Sequence, residues 1–180
     1  MTPALDPALR ATLRCALALL WLAAASHKLR DMARFRDALA GYQLVPAAAV
    51  RAAAGLVAMV ELGLGLTLLV PATGAVPVFA TGALLGLYSL AISVNLMRGR
   101  RTLDCGCGAR PQPIGEGLVA RNAVLVAIAL VAALPANGRA LVWIDAATIA
   151  GGAAALAALY AAADAALANG ASGHPRRIPA

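Results

Sequence analysis

The chain has 180 residues, of which 62% are hydrophobic and 13% charged, and its mean hydropathy is +0.80. A soluble domain carries about a quarter charged residues, so the composition argues against an ordinary water-soluble fold and for a membrane protein. The formal net charge of +7 does not indicate nucleic-acid binding. The basic residues lie in short segments between apolar runs, where a bilayer protein keeps them.

A bilayer core of ~30 Å takes about 20 apolar residues as a helix. In chain order, residues 9–26, 52–70, 75–97, 118–134 and 140–163 qualify. The expected fold is all-α: a polytopic transmembrane helical bundle with four core helices, a fifth C-terminal span and a short interfacial amphipathic helix after the first span. Residues 1–168 are expected to form a single domain and residues 169–180 a disordered tail. Arg10 and Arg14 sit near the start of the first span, where they can snorkel. The same arginines, followed by an apolar run and "LAAAS", also fit a cleavable signal peptide.

After the first span comes "KLRDMARFRDALAGYQLVP". Leu29, Met32, Phe35, Leu39 and Tyr42 recur at steps of three and four, which is one face of a helix. The other face is charged, so the segment reads as a helix in the membrane interface, ended by Gly41 and Pro46. The second span contains Glu61, ~14 Å deep at 1.5 Å per residue. An ionisable residue there is costly and marks a functional candidate. Two readings stand: a neutral Glu61 making a packing hydrogen bond to Tyr88, Ser89 or Asn122, or a group that handles a proton or a quinone. Gly82 and Gly86 in the third span, and Gly55, Gly63 and Gly65 in the second, favour close helix packing. Pro71, Pro135 and Asn137-Gly138 mark turns.

Between the third and fourth spans lies "RGRRTLDCGCGARPQP", which holds Cys105 and Cys107, two of only three cysteines. Three cysteines are too few for a disulfide scaffold. Structural zinc takes four ligands, and only Cys15, His27 and His174 are left to complete a set. No metal site is expected. A thiolate is the nucleophile in disulfide exchange, and Arg98, Arg100, Arg101 and Arg110 would lower a nearby thiol pKa. Gly106 and Gly108 let the two thiols close on each other. So small a ring would be readily reduced, which suits exchange more than structure. Asp104 can accept a proton or balance the arginines. His27 and Lys28, where the first span leaves the membrane, read either as an anchor pair or, for His27, as a base near the thiols. Asn95 lies at the same level. Cys15 lies ~18 Å below it and reads as a small buried hydrophobe. Soft-metal binding by the two thiolates, such as Cu(I), and idle loop thiols stay open as alternatives.

"ASHKLRDMARFRDALAGYQLVP", "VELGLGLTLLV", "LYSLAISVNLMRGRRTLDCGCGA" and the "RN" opening the fourth span resemble the methylamine utilisation protein MauE family, which is related to the DoxX-like membrane proteins. Matching positions are Lys28, Phe35, Tyr42, Pro46, Glu61, Asn95, Cys105, Cys107, Arg121 and Asn122. The family pattern continues Cys-x-Cys-Phe-Gly, whereas Gly108 and Ala109 follow here. The resemblance implies a redox-associated protein of the bacterial inner (plasma) membrane. It also implies a role in maturing the small, disulfide-rich subunit of methylamine dehydrogenase alongside a thioredoxin-like partner. A bundle with a cysteine motif before its fourth helix also resembles vitamin K epoxide reductase, at the level of fold alone, which suggests a membrane quinone as electron acceptor.

The expected function is therefore thiol–disulfide exchange by Cys105 and Cys107 with a disulfide-containing client, supported by Glu61, His27, Lys28, Asn95, Asp104 and Arg121. The alternative is a non-catalytic membrane scaffold or transport accessory. Sidedness pulls the other way. Five spans put 12 of the 15 Lys and Arg on the side of the cysteine loop, and the positive-inside rule places that side in the cytoplasm. A role on periplasmic clients needs the reverse.

Overall fold

A computed structural model describes residues 4–108 and 111–172. Six helices follow in order: α1 (Pro7–Arg30), α2 (Met32–Tyr42), α3 (Val50–Leu68), α4 (Val76–Met97), α5 (Glu116–Ala133) and α6 (Trp143–Ser172). All but α2 are long and apolar enough to cross a bilayer. Among the described residues there is no strand, only the isolated bridges Leu5–Ala136 and Asp104–Pro113. The all-α, five-span architecture is as the apolar runs predict, and the chain is a multi-pass membrane protein that lives in a lipid bilayer.

Two boundaries differ from expectation, each for a local reason. Asp6 caps α1, accepting from the Ala8 amide at 2.8 Å, with Pro7 in the first turn. The helix then runs past residue 26 to Arg30. There Asp31 turns the chain and caps α2, its carboxylate accepting from the Arg34 amide at 3.0 Å. The amphipathic stretch therefore begins inside α1. At the other end, α6 continues to Ser172, its alanine-rich sequence carrying the helix through Asn169 and Gly170. Of the expected tail, residues 169–172 are helical and residues 173–180 lie outside the described part.

Helix α1 occupies the middle, packing on α3, α5 and α6, while α4 packs on α5. The core joins Leu17, Ala18 and Trp21 of α1 to Leu68, Val78, Leu85, Ala129 and Ala132. The Trp21 indole N–H donates to Thr81 Oγ1 at 3.0 Å, satisfying a polar group that apolar surroundings would otherwise strand. Leu56, Phe79, Leu87, Leu90 and Val124 point outward, as lipid-facing side chains do.

The two arginines of the first span cap helix ends. Arg14 donates to the carbonyls of Leu68 at 3.2 Å and Val70 at 3.1 Å, to Thr73 Oγ1 at 3.0 Å, and to the Gly74 carbonyl. It thereby satisfies the carbonyls left over where α3 ends. Arg10 reaches the Ala132 carbonyl near the end of α5 at 3.4 Å. On the same side Arg139 pairs with both Asp6 and Asp145 at 2.9 Å. Its hydrogen bond is the main reason the Asp6 carboxyl is held down at about 2.

Helix packing through small residues is narrower than expected. A Cβ added at Gly55, Gly63, Gly82 or Gly86 would meet nothing within 4 Å. At Gly65 it would fall 2.7 Å from Leu22 Cγ and 3.2 Å from the Leu22 backbone nitrogen. One glycine, not a G-x-x-x-G pair, sets the α1–α3 approach. Gly65→Ala should destabilise the detergent-solubilised protein by about 1–3 kcal/mol through overpacking. Gly63→Ala should leave it unchanged or slightly more stable. Thermal unfolding followed by circular dichroism checks the pair, and equal effects at the two positions would contradict the packing.

Candidate functional site

The last turn of α1, the middle of α3 and the second half of α4 bring Lys28, Glu61 and Tyr88 together. Glu61 Oε1 accepts from Lys28 Nζ at 2.8 Å and from the Tyr88 hydroxyl at 2.7 Å. Lys28 is 4% exposed and Glu61 0%. Two charges this deep persist only because each neutralises the other and hydrogen bonds complete the arrangement. The Lys28 ammonium also lies 5.0 Å from the Phe35 ring centroid and 5.9 Å from that of Tyr88, both within cation–π range. Among the described residues Glu61 Oε2 has no hydrogen-bond partner.

These contacts revise the expected roles. Glu61 is ion-paired rather than a lone neutral acid. Of its three expected partners, Tyr88 reaches it, while Ser89 bonds the Leu85 carbonyl of its own helix at 2.9 Å. Lys28 is turned into the bundle instead of anchoring at the surface. His27 is half-buried and makes no hydrogen bond to either loop cysteine among the described residues.

The cysteine loop folds back on itself. The Cys105 amide donates to the Gln112 carbonyl at 2.8 Å and the Ile114 amide to the Leu103 carbonyl at 2.9 Å. Asp104 organises the turn. Its Oδ1 accepts from the Gly106 and Gln112 amides, each at 3.1 Å. Its Oδ2 accepts from Arg34 of α2, at 3.2 Å from Nε and 2.9 Å from Nη2. Asp104 thus balances an arginine, but one from α2. Two of the loop arginines are engaged elsewhere: Arg100 bonds Gln43, and Arg101 pairs with Glu116 at 2.7 Å. Arg110 lies outside the described residues, as does His174.

Cys105 and Cys107 are joined by a disulfide, with their Cα atoms 5.3 Å apart. Gly106 between them has φ of +68°, a conformation that favours glycine. A Cβ there would also come within 3.2 Å of Ala38 and 3.3 Å of Phe35. The loop therefore rests directly on α2. Phe35 touches both the loop and Lys28, its ring lying against Gly106 and within 5.0 Å of the Lys28 ammonium. Cys105 is buried with Tyr42, Ile92, Ile114 and Leu118, while Cys107 packs at the edge of that cluster and is only half-buried. The Tyr42 hydroxyl donates to the Cys105 carbonyl at 3.4 Å. Burial, helped by Asp104, pushes the Tyr42 phenol up to about 12, so it stays a donor throughout the physiological range. The distant Cys15 is a free, half-buried thiol.

Arg121 pairs with Asp164 of α6, lies 5.5 Å from the Tyr160 ring centroid and donates to Asn122 Oδ1 at 3.3 Å. Asn95 is fully buried, with Nδ2 on the Ala91 carbonyl at 3.1 Å. Asn95 Oδ1, Asn122 Nδ2 and Arg121 Nε join Glu61 Oε2 as buried atoms without partners. The half of the bundle beneath the loop thus holds these four unpartnered polar atoms.

The spans and the Cys-x-Cys pointed to most of this site, but not to Arg34, Gln112 or Asp164. Asp164 had a readable signal, being a lone acid in an alanine run, the same signal that singles out Glu61. Placing the span end at residue 163 hid it. Arg34 and Gln112 act through contacts 70 and 8 residues from Asp104, which spacing along one helix does not show.

Removing one partner of the buried pair should be far worse than removing both. Lys28→Met or Glu61→Leu alone should cost about 3–5 kcal/mol, and the double variant should recover much of it. Thermal unfolding of the three variants in detergent checks this. Additive losses would show that the two charges do not depend on each other.

The methylamine utilisation protein MauE family matches residues 6–135, which span α1 to α5. The chain is 40% identical over 135 residues to the methylamine utilization protein MauE of Paracoccus versutus, covering 73% of each chain. It is 37% identical over 163 residues to that of Methylophilus methylotrophus, covering 88% of this chain and 86% of the relative. Against that of Paracoccus denitrificans the identity is 37% over 136 residues, with 73% of each chain covered. No solved structure matches. The motifs, the five spans and these relatives lead to one conclusion: the chain belongs to the methylamine utilisation protein MauE family.

Proposed function

We propose that the chain is a membrane-bound thiol–disulfide exchange protein. The Cys105–Cys107 pair trades its disulfide with the thiols of a client protein, and a thioredoxin-like protein works alongside. The relatives' names bring methylamine utilisation to this reading, with a methylamine dehydrogenase small subunit as the client class. The observation that carries it is a disulfide between residues two apart, held at the polar end of the bundle by Asp104, Arg34 and Gln112. A bond that closes a one-residue gap restricts the unfolded chain very little, so stabilisation is a poor reason to keep it. Glu61 Oε2, buried and unpartnered, is the atom available to take up a proton or to accept a hydrogen bond from a quinol hydroxyl. Lys28 holds it in place, and Asn95 and Arg121 line the same half of the bundle.

Cys105→Ser and Cys107→Ser should each leave client disulfides reduced in cells, as read by thiol trapping of the client. If client disulfides are unchanged in both variants, the exchange reading falls and the scaffold reading takes its place. The role on periplasmic clients also requires the loop to face outward. In a Cys15→Ala background, a membrane-impermeant maleimide should label intact cells only after reduction. Labelling that appears only once cells are opened would overturn that placement.

A further inference from the structure

The two sulfurs are not equivalent, and their difference assigns an order of events. Cys105 is 7% exposed and sits in an apolar cluster with Ile92, Ile114 and Leu118. Its amide is tied to Gln112 and its carbonyl faces the Tyr42 hydroxyl. Cys107 is half-buried, and its neighbours Gly106 and Gly108 carry no side chains that could cover it. Thiol–disulfide exchange proceeds in line: the incoming sulfur approaches along the S–S axis, opposite the sulfur that leaves. Cys105 belongs to the buried cluster and Cys107 packs at its edge with more exposure. Cys107 is therefore the sulfur a partner thiolate reaches more readily, and Cys105 the one that surrounding side chains shield. Exchange rates depend on which sulfur is accessible as well as on thiolate character.

Resting on the exchange reading, we infer that Cys107 is the sulfur that forms the mixed disulfide with a partner thiol and that Cys105 is the internal leaving and resolving thiol. A partner thiolate attacks Cys107 Sγ. A partner–Cys107 S–S bond forms, the Cys105–Cys107 bond breaks, and its electron pair leaves on Cys105 Sγ, which takes a proton. A second partner thiolate then attacks the partner's own sulfur in the mixed disulfide and releases Cys107 as a thiolate. The partner dithiol is oxidised by two electrons to a disulfide, and the Cys105–Cys107 disulfide is reduced to two thiols. The partner class is a protein with two thiols close enough to pair. In the reverse direction, Cys107 of the reduced pair is the attacking thiolate and Cys105 resolves.

The test uses the full chain in detergent, in a Cys15→Ala background, with oxidised glutathione as the probe and intact mass as the readout. Cys105→Ser, which leaves Cys107, should become glutathionylated at least about tenfold faster than Cys107→Ser, which leaves Cys105. Because a substitution can loosen the loop, the reduced protein with both thiols intact is also treated with limiting iodoacetamide. Peptide mapping should place the first label on Cys107. Equal rates, faster reaction at Cys105, or first labelling of Cys105 would overturn the assignment. These outcomes are separate from the exchange reading itself. Cysteine variants that leave client disulfides unchanged in cells sink that reading whichever sulfur is more reactive. A first label on Cys105 sinks only the order of events.

Discussion

A charge cannot stay unpaired in the middle of a bilayer protein, and the Lys28–Glu61 pair shows how much of a structure one such constraint can organise. Glu61 holds the ammonium of Lys28 and the hydroxyl of Tyr88 on a single oxygen. Three helices are thereby brought to one point, and the end of α1 is drawn inward at Lys28. Because α1 must bring Lys28 inside, the chain turns at Asp31 immediately afterwards, and α2 lies across that end of the bundle. Phe35 of α2 covers the ammonium. The cysteine loop rests on the same ring and on Ala38. The position of the sulfurs is thus traced, contact by contact, to a buried ion pair two layers below.

The loop adds its own order on top of that support. Asp104 has two oxygens, and both are used: one gathers the Gly106 and Gln112 amides, the other receives Arg34. The carboxylate thus shapes the turn and docks it to α2 at once. On the opposite flank α6 closes in, with Asp164 on Arg121 and Leu167 over Gly117. This helix lies beyond the segment matched by the family, yet it forms a wall of the same site. Of the two sulfurs, these contacts leave that of Cys107 the less covered.

Much of this was legible because a membrane imposes few and strict rules. Five apolar runs of sufficient length meant five helices, and a charge within one of them meant a site. The three-and-four spacing of Phe35 and Tyr42 marked a helix face correctly, but part of that face lies under the loop and not against lipid. The inward turn of Lys28 was not legible, since its partner is 33 residues away and nothing in the local pattern distinguishes it from a surface anchor. Gly82 and Gly86 misled for the opposite reason: the spacing is a packing motif only when a helix lies against it. The close contacts fall at Gly65, Gly117 and Gly152.

The pairs that close the bundle join distant parts of the chain, and that has a bearing on how the protein is made. Chains emerge N-terminus first, and early segments wait for their partners. Lys28 waits 33 residues for Glu61, Arg34 waits 70 for Asp104, Arg121 waits 43 for Asp164, and Asp6 waits 133 for Arg139. Until α3 follows, Lys28 ends a span without the acid that neutralises it. Its buried position in the finished bundle depends on Glu61, which follows 33 residues later. The cysteine loop then settles on a finished platform, and α6 completes the enclosure last. Newly made chains therefore pass through a stage in which both loop thiols exist without the Asp164 wall beside them, open to the redox environment on whichever side they emerge.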